Sequence, residues 1–125
     1  MGEIRKYICS CGYEKDLQTG GGLSGCNVRR IAKHFPKETE AFLKEREQGR
    51  VKRYIMENEI SYCERCQEVY AVPAFSYTRK DGYTCHFPGN CPVCGGVVVQ
   101  AEEEEYIACP KCGKRMQYMF VGDWD

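Results

Sequence analysis

Closely spaced cysteines, strand-like patterns towards both ends of the chain and a basic, helix-like segment between them predict a small α+β fold stabilised by metal. Eight of the ten cysteines lie in four pairs. Without its cysteines, the 125-residue chain is only about one-third apolar, which is little for an ordinary core at this length. We therefore expect bound metal to supply much of the stability.

The cysteine spacing favours metal binding over disulfide bonding. A tetrahedral metal site takes two thiolates from one tight turn, whereas disulfides favour partners that are distant in sequence. A glycine follows three of the four turns and permits the positive φ that such a turn needs, while Gln67 follows the other. Four thiolates are a ligand set of structural zinc, so the sequence predicts two Zn²⁺ sites. The four turns, called knuckles below, are residues 9–11, 63–66, 91–94 and 109–112.

Four knuckles can be paired into two sites in three ways. The segment 67–90 has the pattern of a zinc-ribbon hairpin with a turn at 79–82, which would bring knuckle 63–66 beside knuckle 91–94. The alternative pairs knuckle 91–94 with knuckle 109–112, because their spacing of 14 residues also suits a zinc ribbon. The favoured nested pairing predicts Cys63, Cys66, Cys91 and Cys94 as site 1, and Cys9, Cys11, Cys109 and Cys112 as site 2.

The other elements follow from local patterns. Residues 4–18 read as strand, knuckle and strand. One helix begins after a predicted N-cap at Asn27, and a second begins near Pro36 and ends before Gly49. Residues 50–57 fit either a third short helix or the approach to the next knuckle. Further strands are predicted at 97–100 and 116–125.

These elements predict two zinc-ribbon β-hairpin units with a helical insert. The predicted domains are a zinc ribbon from residues 1–24 and 100–125, a basic helical insert at 25–57, and an inner zinc ribbon at 58–99.

The net charge of zero conceals a basic segment. Residues 27–56 hold nine Lys and Arg against four Glu, a net charge of +5. A basic segment of this kind favours nucleic acid or an acidic protein as partner. The alternative is an ordinary solvated helix, in which glutamates three or four residues from the basic residues neutralise their charges. The candidate nucleic-acid contacts are Arg29, Arg30, Lys33, Arg50, Lys52 and Arg53, with Tyr54 and Tyr77 as possible stacking surfaces.

The sequence offers no pattern typical of an enzyme. Four thiolates fill the shell of zinc and leave no position for an activated water. The motifs of zinc deaminases, HExxH proteases and nucleotide-binding loops are absent. We therefore expect a noncatalytic protein with no small-molecule substrate. Outside the knuckles, Cys26, His34, Cys85 and His86 are either further ligands or ordinary packing and surface residues.

Two resemblances add expectations. The segments TyrIleCysSerCysGlyTyrGlu at 7–14 and CysProLysCysGly at 109–113 resemble the knuckles of rubredoxin, which implies iron as an alternative occupant. A longer set of motifs is similar to small bacterial zinc-ribbon proteins of unassigned function. It comprises CxCGYE with a glycine-rich loop, TyrCysGluArgCys, and CysProLysCysGlyLysArgMet. This second resemblance implies fold and metal, and it transfers no catalytic residue.

Location and function complete the predictions. No stretch approaches the roughly 18 apolar residues of a membrane span, and the first residues lack the apolar core of a secretory signal. We expect a cytoplasmic protein without membrane contact. The predicted function is a structural-zinc binding module for a macromolecular partner, protein or nucleic acid. The alternative is rubredoxin-like electron transfer with iron, or a thiol redox or metal-transfer function.

Overall fold

The computed structural model describes residues 2–21 and 26–124, which form two antiparallel sheets and two helices. The small α+β fold predicted from the sequence is therefore confirmed. The strands are β1 (Gly2–Ile8), β2 (Glu14–Thr19), β3 (Val51–Cys63), β4 (Glu68–Arg79), β5 (Thr84–Phe87), β6 (Val99–Gln100) and β7 (Gln117–Trp124). The helices are α1 (Val28–His34) and α2 (Pro36–Glu47).

The first sheet brings together segments that are distant in sequence. Its order is β2-β1-β7, and β1 pairs antiparallel with both neighbours, so that Tyr7 lies opposite Lys15 on one side and Tyr118 on the other. The indole N–H of Trp124 donates to the carbonyl oxygen of Thr19 at 2.9 Å. Both predicted strand regions, 4–18 and 116–125, thus contribute to one sheet, although Asp125 lies outside the described residues.

The second sheet has the order β5-β4-β3-β6. Knuckle 63–66 joins β3 to β4, and the turn predicted at 79–82 joins β4 to β5. Residues 51–57 belong to β3, which settles the two alternatives for 50–57 in favour of a strand leading into the knuckle. Strand β3 continues to Cys63 and therefore crosses 57/58, the predicted boundary between the helical insert and the inner zinc ribbon. The division into domains stays a prediction.

The two helices begin and end at the predicted signals. The Asn27 side chain accepts a hydrogen bond from the backbone N–H of Arg30 at 3.3 Å, as an N-cap does. Pro36 occupies the first turn of α2, and Gly49 follows the helix with a φ of 72°. Neither helix of the described residues has the length and apolar character needed to cross a bilayer.

The apolar residues form two clusters. One lies under the helices, where the Phe42 ring packs edge-on against Phe75 with centroids 5.4 Å apart and contacts Tyr77 at 5.3 Å. The other lies between the two sheets and contains two knuckle cysteines, so the core and the metal sites are continuous. Its buried members are Tyr7, Cys9, Leu17, Ile60, Val69, Ile107, Cys109 and Met116.

Candidate metal centres and basic surface

The eight knuckle cysteines form two groups of four, and all four sulfurs of a group lie within 4.8 Å of one another. The groups follow the nested pairing: knuckle 63–66 lies beside knuckle 91–94, and knuckle 9–11 lies beside knuckle 109–112. The alternative hairpin after knuckle 91–94 does not form among the described residues, because β6 pairs with β3 instead. The chain therefore has two cysteine clusters placed to bind metal.

The sulfur separations fit a tetrahedral ion. Cys63 and Cys94 have sulfurs 3.5 Å apart in site 1, and Cys11 and Cys109 have sulfurs 3.7 Å apart in site 2. A disulfide needs about 2.05 Å, whereas zinc with bonds of about 2.3 Å to sulfur separates tetrahedral ligands by about 3.8 Å. The donor set and its spacing thus suit zinc, and four thiolates suit iron as well.

Backbone N–H groups surround the sulfurs. The N–H groups of Val93 and Cys94 both donate to the Cys91 sulfur at 3.4 Å, and the N–H of Lys111 donates to the Cys109 sulfur at the same distance. These bonds form because each knuckle is a tight turn that folds its own amides back over its first cysteine. Such bonds stabilise negative sulfur and orient the ligand.

The residue after each knuckle has a positive φ. Gly12, Gly95 and Gly113 have φ values of 99°, 73° and 80°. Gln67 occupies the same position in knuckle 63–66 with a φ of 50°, and it is the only non-glycine with positive φ among the described residues. A side chain there is strained, so this knuckle carries a cost that the other three avoid.

The backbone environment makes one sulfur in each site acidic. A hydrogen bond from the Cys11 N–H, which outweighs burial, lowers the pKa of Cys9 to about 7. Burial raises the pKa of Cys91, but the N–H groups of Cys94 and Val93 outweigh it and lower the value to about 6. Burial raises the pKa of Cys66 to about 12. Metal must therefore displace a proton from Cys66 when it binds at site 1, which couples binding to pH.

The two sites differ in their exposure. In site 1, Cys63 and Cys91 are buried and Cys66 and Cys94 are half-buried. In site 2, Cys9 and Cys109 are buried, whereas Cys11 and Cys112 are exposed. Site 2 therefore opens to solvent on one side.

Hydrogen bonds connect the two sites. The backbone carbonyl of Gln67, beside site 1, accepts from the Lys111 ammonium of site 2 at 2.9 Å. The knuckles therefore contact each other as well as the shared core. The three connecting pairs are Lys111 with Gln67, Ala108 N–H with the Tyr62 hydroxyl at 2.9 Å, and the Tyr13 hydroxyl with the Glu68 carboxylate.

The remaining Cys and His residues lie apart from these clusters. Cys26 is exposed, with its sulfur 3.8 Å from the carbonyl oxygen of Tyr54. The His86 imidazole lies 3.5 Å from the Glu59 carboxylate. Within residues 2–21 and 26–124, neither these residues nor His34 and Cys85 join a group able to hold a metal.

Most of the predicted nucleic-acid contacts line two depressions. One, of about 520 Å³, is bordered by Asn27, Arg29, Arg30, Lys33 and His34. The other, of about 370 Å³, is bordered by Cys26, Arg46, Val51, Lys52, Arg53 and Tyr54. Cys26, which borders the second depression, directly precedes Asn27, which borders the first. We call the six cations of the two depressions, Arg29, Arg30, Lys33, Arg46, Lys52 and Arg53, the basic tract.

Among the described residues, no carboxylate pairs with the basic tract. No acidic residue borders either depression, and the described part of the chain places no carboxylate oxygen within 4.0 Å of any of the six cationic groups. The predicted contact Arg50 is exposed but borders neither depression. Sequence reasoning missed Arg46, which lies in the last turn of α2 with its guanidinium 5.2 Å from the Tyr54 ring.

The predicted stacking role of Tyr77 is wrong. Its side chain is only 5% exposed, because β4 turns it towards Phe42 under the helices. Tyr54 is half-buried between Phe42 and Arg46. The exposed aromatic near this end of the sheet is Tyr83, whose ring lies 4.6 Å from the Arg79 guanidinium.

No model of a known protein family, no curated protein and no solved structure matches this chain. The similarity to zinc-ribbon proteins therefore rests on the cysteine motifs and on the geometry of the two clusters.

Proposed function

We propose that this protein is a noncatalytic, cytoplasmic binding module that folds around two structural zinc ions and binds nucleic acid through its basic tract. The ligands of zinc are the two groups of four cysteines. Four thiolates complete a tetrahedral shell, so the metal would supply stability and leave no open position for water. Each ion would contribute on the order of 10 kcal/mol to folding at neutral pH.

In this proposal each cluster is the metal site of a zinc ribbon. For site 2, the β1–β2 hairpin carries the first knuckle, and a bridge between Ala108 and Arg115 flanks the second. For site 1, the β3–β4 hairpin carries knuckle 63–66, and the irregular segment after β5 carries the other. A reducing cytoplasm would keep all eight thiols available for metal.

The observation that carries the nucleic-acid proposal is that, among the described residues, no carboxylate pairs with any of the six cations or borders their two depressions. Cations on a protein surface are commonly interspersed with carboxylates, and a cation already paired gains less from a phosphate. Here the six residues are exposed at the borders of two depressions that are linked by the consecutive residues Cys26 and Asn27. Arginine supplies four of them, and its planar guanidinium binds phosphate oxygens in pairs.

Fluorescence anisotropy with labelled single-stranded and double-stranded oligonucleotides tests the proposal. If all six cations neutralise phosphates of a single strand, the logarithm of the binding constant should fall with the logarithm of salt concentration at a slope of roughly −4. Absence of binding at low salt, or a binding constant unchanged by salt, would contradict a nucleic-acid partner and leave an acidic protein as the candidate.

A charge-reversal pair localises the interaction. The variant Arg30→Glu should weaken binding strongly and flatten the salt slope. Arg65→Glu is the matched control, because it changes the charge equally and Arg65 is exposed in knuckle 63–66, which β3 places about 30 Å from Arg53. Both variants must retain two metal ions per chain. Equal effects of the two variants would show that net charge, and not the tract, governs binding.

The exposure of Cys11 and Cys112 favours a second candidate function at site 2, the exchange of electrons or metal. Protein purified without oxygen or added zinc distinguishes the candidates by its metal content and visible absorbance. Two zinc ions and no colour support the structural proposal. Iron with absorption bands from thiolate-to-metal charge transfer would support electron transfer instead.

A further inference from the structure

Strand β7 exposes a continuous apolar segment at the edge of the first sheet. Its one strand neighbour in that sheet is β1. Four consecutive large side chains are between 40% and 60% exposed: Tyr118, Met119, Phe120 and Val121. Successive residues of a strand point to opposite faces, so both faces of β7 are partly exposed, and within residues 2–21 and 26–124 no strand pairs with its outer edge.

Natural sheets protect such edges. Lysine, proline or inward charges usually interrupt an open edge, because unpaired backbone groups beside apolar side chains recruit other strands. Strand β7 contains no lysine or proline, and its one charged residue is Asp123. The pairing of β7 with β1 is regular from Gln117 to Phe120, and a register shift between Arg5 and Ile4 interrupts it only after Phe120. A regular segment, Gln117–Phe120, is thus available for pairing.

We propose that β7 pairs with β7 of a second copy of this chain, in an antiparallel dimer with two-fold symmetry. The charges that flank the strand are complementary under this symmetry. Basic Lys114 and Arg115 precede the apolar segment, and acidic Asp123 follows it, all three exposed. Antiparallel pairing places the start of one strand against the end of the other, so each dimer brings the basic pair beside the acid twice.

This dimer is independent of the proposed nucleic-acid function. The basic tract lies on α1, on α2 and at the start of β3, whereas the pairing strand belongs to the other sheet. An unmodified protein that binds oligonucleotides but stays monomeric would refute only the dimer, and a dimeric protein that binds no oligonucleotide would refute only the proposed function.

Sedimentation velocity of the metal-loaded full chain, from about 1 to 100 μM, tests the dimer. The unmodified protein should sediment as a dimer at the upper concentration, and Phe120→Lys should sediment as a monomer with two metal ions. Val97→Lys is the matched control, because Val97 is an apolar residue that is 86% exposed outside β7, and it should remain dimeric. A monomeric unmodified protein, or a dimer that persists in Phe120→Lys, overturns the proposal.

A mixing experiment tests the pairing partner without touching the apolar segment. Arg115→Glu places two acids together at both ends of the dimer, and Asp123→Arg places bases together, so each variant alone should dimerise roughly tenfold more weakly. Mixed in equal amounts, the two variants regain opposite charges at both contacts and should form a mixed dimer. If the mixture dimerises no better than either variant alone, antiparallel self-pairing is refuted.

Discussion

Removing one metal site should weaken the other, because hydrogen bonds and a common core join them. In the variant Cys63→Ser, site 1 loses a thiolate and knuckle 63–66 loses its anchor. Tyr62 and Gln67 flank this knuckle and bond to Ala108 and Lys111 of site 2. We therefore expect the remaining metal of Cys63→Ser to be held less tightly than in the unmodified protein.

The three connecting hydrogen bonds set the magnitude. At about 1 kcal/mol each, these bonds contribute at most about 3 kcal/mol to the coupling. Because Lys111 is exposed to solvent, its hydrogen bond contributes less than the other two, and we expect a coupling free energy of about 2 kcal/mol. This corresponds to a rise of roughly 30-fold in the dissociation constant of site 2.

Competition with a coloured chelator measures this directly. Titration of the unmodified protein, Cys63→Ser and Cys109→Ser gives both the stoichiometry and the affinity of each remaining site. Each variant should retain about one metal equivalent. A remaining site with unmodified affinity would show that the sites are independent, and a full complement of two metals would show that the substituted cysteine is not a ligand.

Three further changes probe other parts of the structure. Gln67→Gly removes the strain of a side chain at positive φ and should raise the free energy of unfolding by roughly 0.5–1 kcal/mol. Gly113→Gln introduces such a strain and should lower the free energy of unfolding. Urea denaturation of the metal-loaded protein measures both changes. Phe42→Ala should cost about 3–5 kcal/mol in the same assay, since its ring is fully buried, while Leu43→Ala on the exposed side of α2 should stay within about 0.5 kcal/mol. Chelation of both metals should abolish the cooperative unfolding transition, as seen by circular dichroism, and a native spectrum after chelation would contradict a structural role for the metal.

The knuckles were the most predictable part of the molecule, because their chemistry is local. Two cysteines two or three positions apart with a following glycine specify a turn whatever the rest of the chain does. The nested grouping followed from the hairpin that ends at Phe87. Strand β3 was harder to predict, since Glu57, Asn58 and Glu59 break its apolar alternation. Pairing with β4 along nearly its whole length overrides that local signal.

The basic tract shows what sequence reasoning could not reach. Glutamates at helix-pair spacing suggested that the charges of the insert neutralise one another. In the structure, Glu45 instead contacts Arg79, with a nitrogen–oxygen distance of 3.6 Å, and no ion pair among the described residues involves the basic tract. That contact joins α2 to β4 and has no signature in either segment alone. The burial of Tyr77 also depends on tertiary packing, because the helices cover the face of β4 on which this residue lies.

With both clusters binding metal as proposed, their nested arrangement also favours an order of assembly during synthesis. Site 1 closes a loop of about 30 residues, whereas site 2 waits for a cysteine about 100 residues after its first, which costs roughly 1 kcal/mol more in chain entropy. As the ribosome extends the chain, the inner metal can bind while Cys9 and Cys11 are still unmatched. A nascent chain halted before Cys109 would hold one ion and would lack β7, which forms an edge of the first sheet. The second ion can therefore bind with all four ligands only after synthesis has passed residue 112.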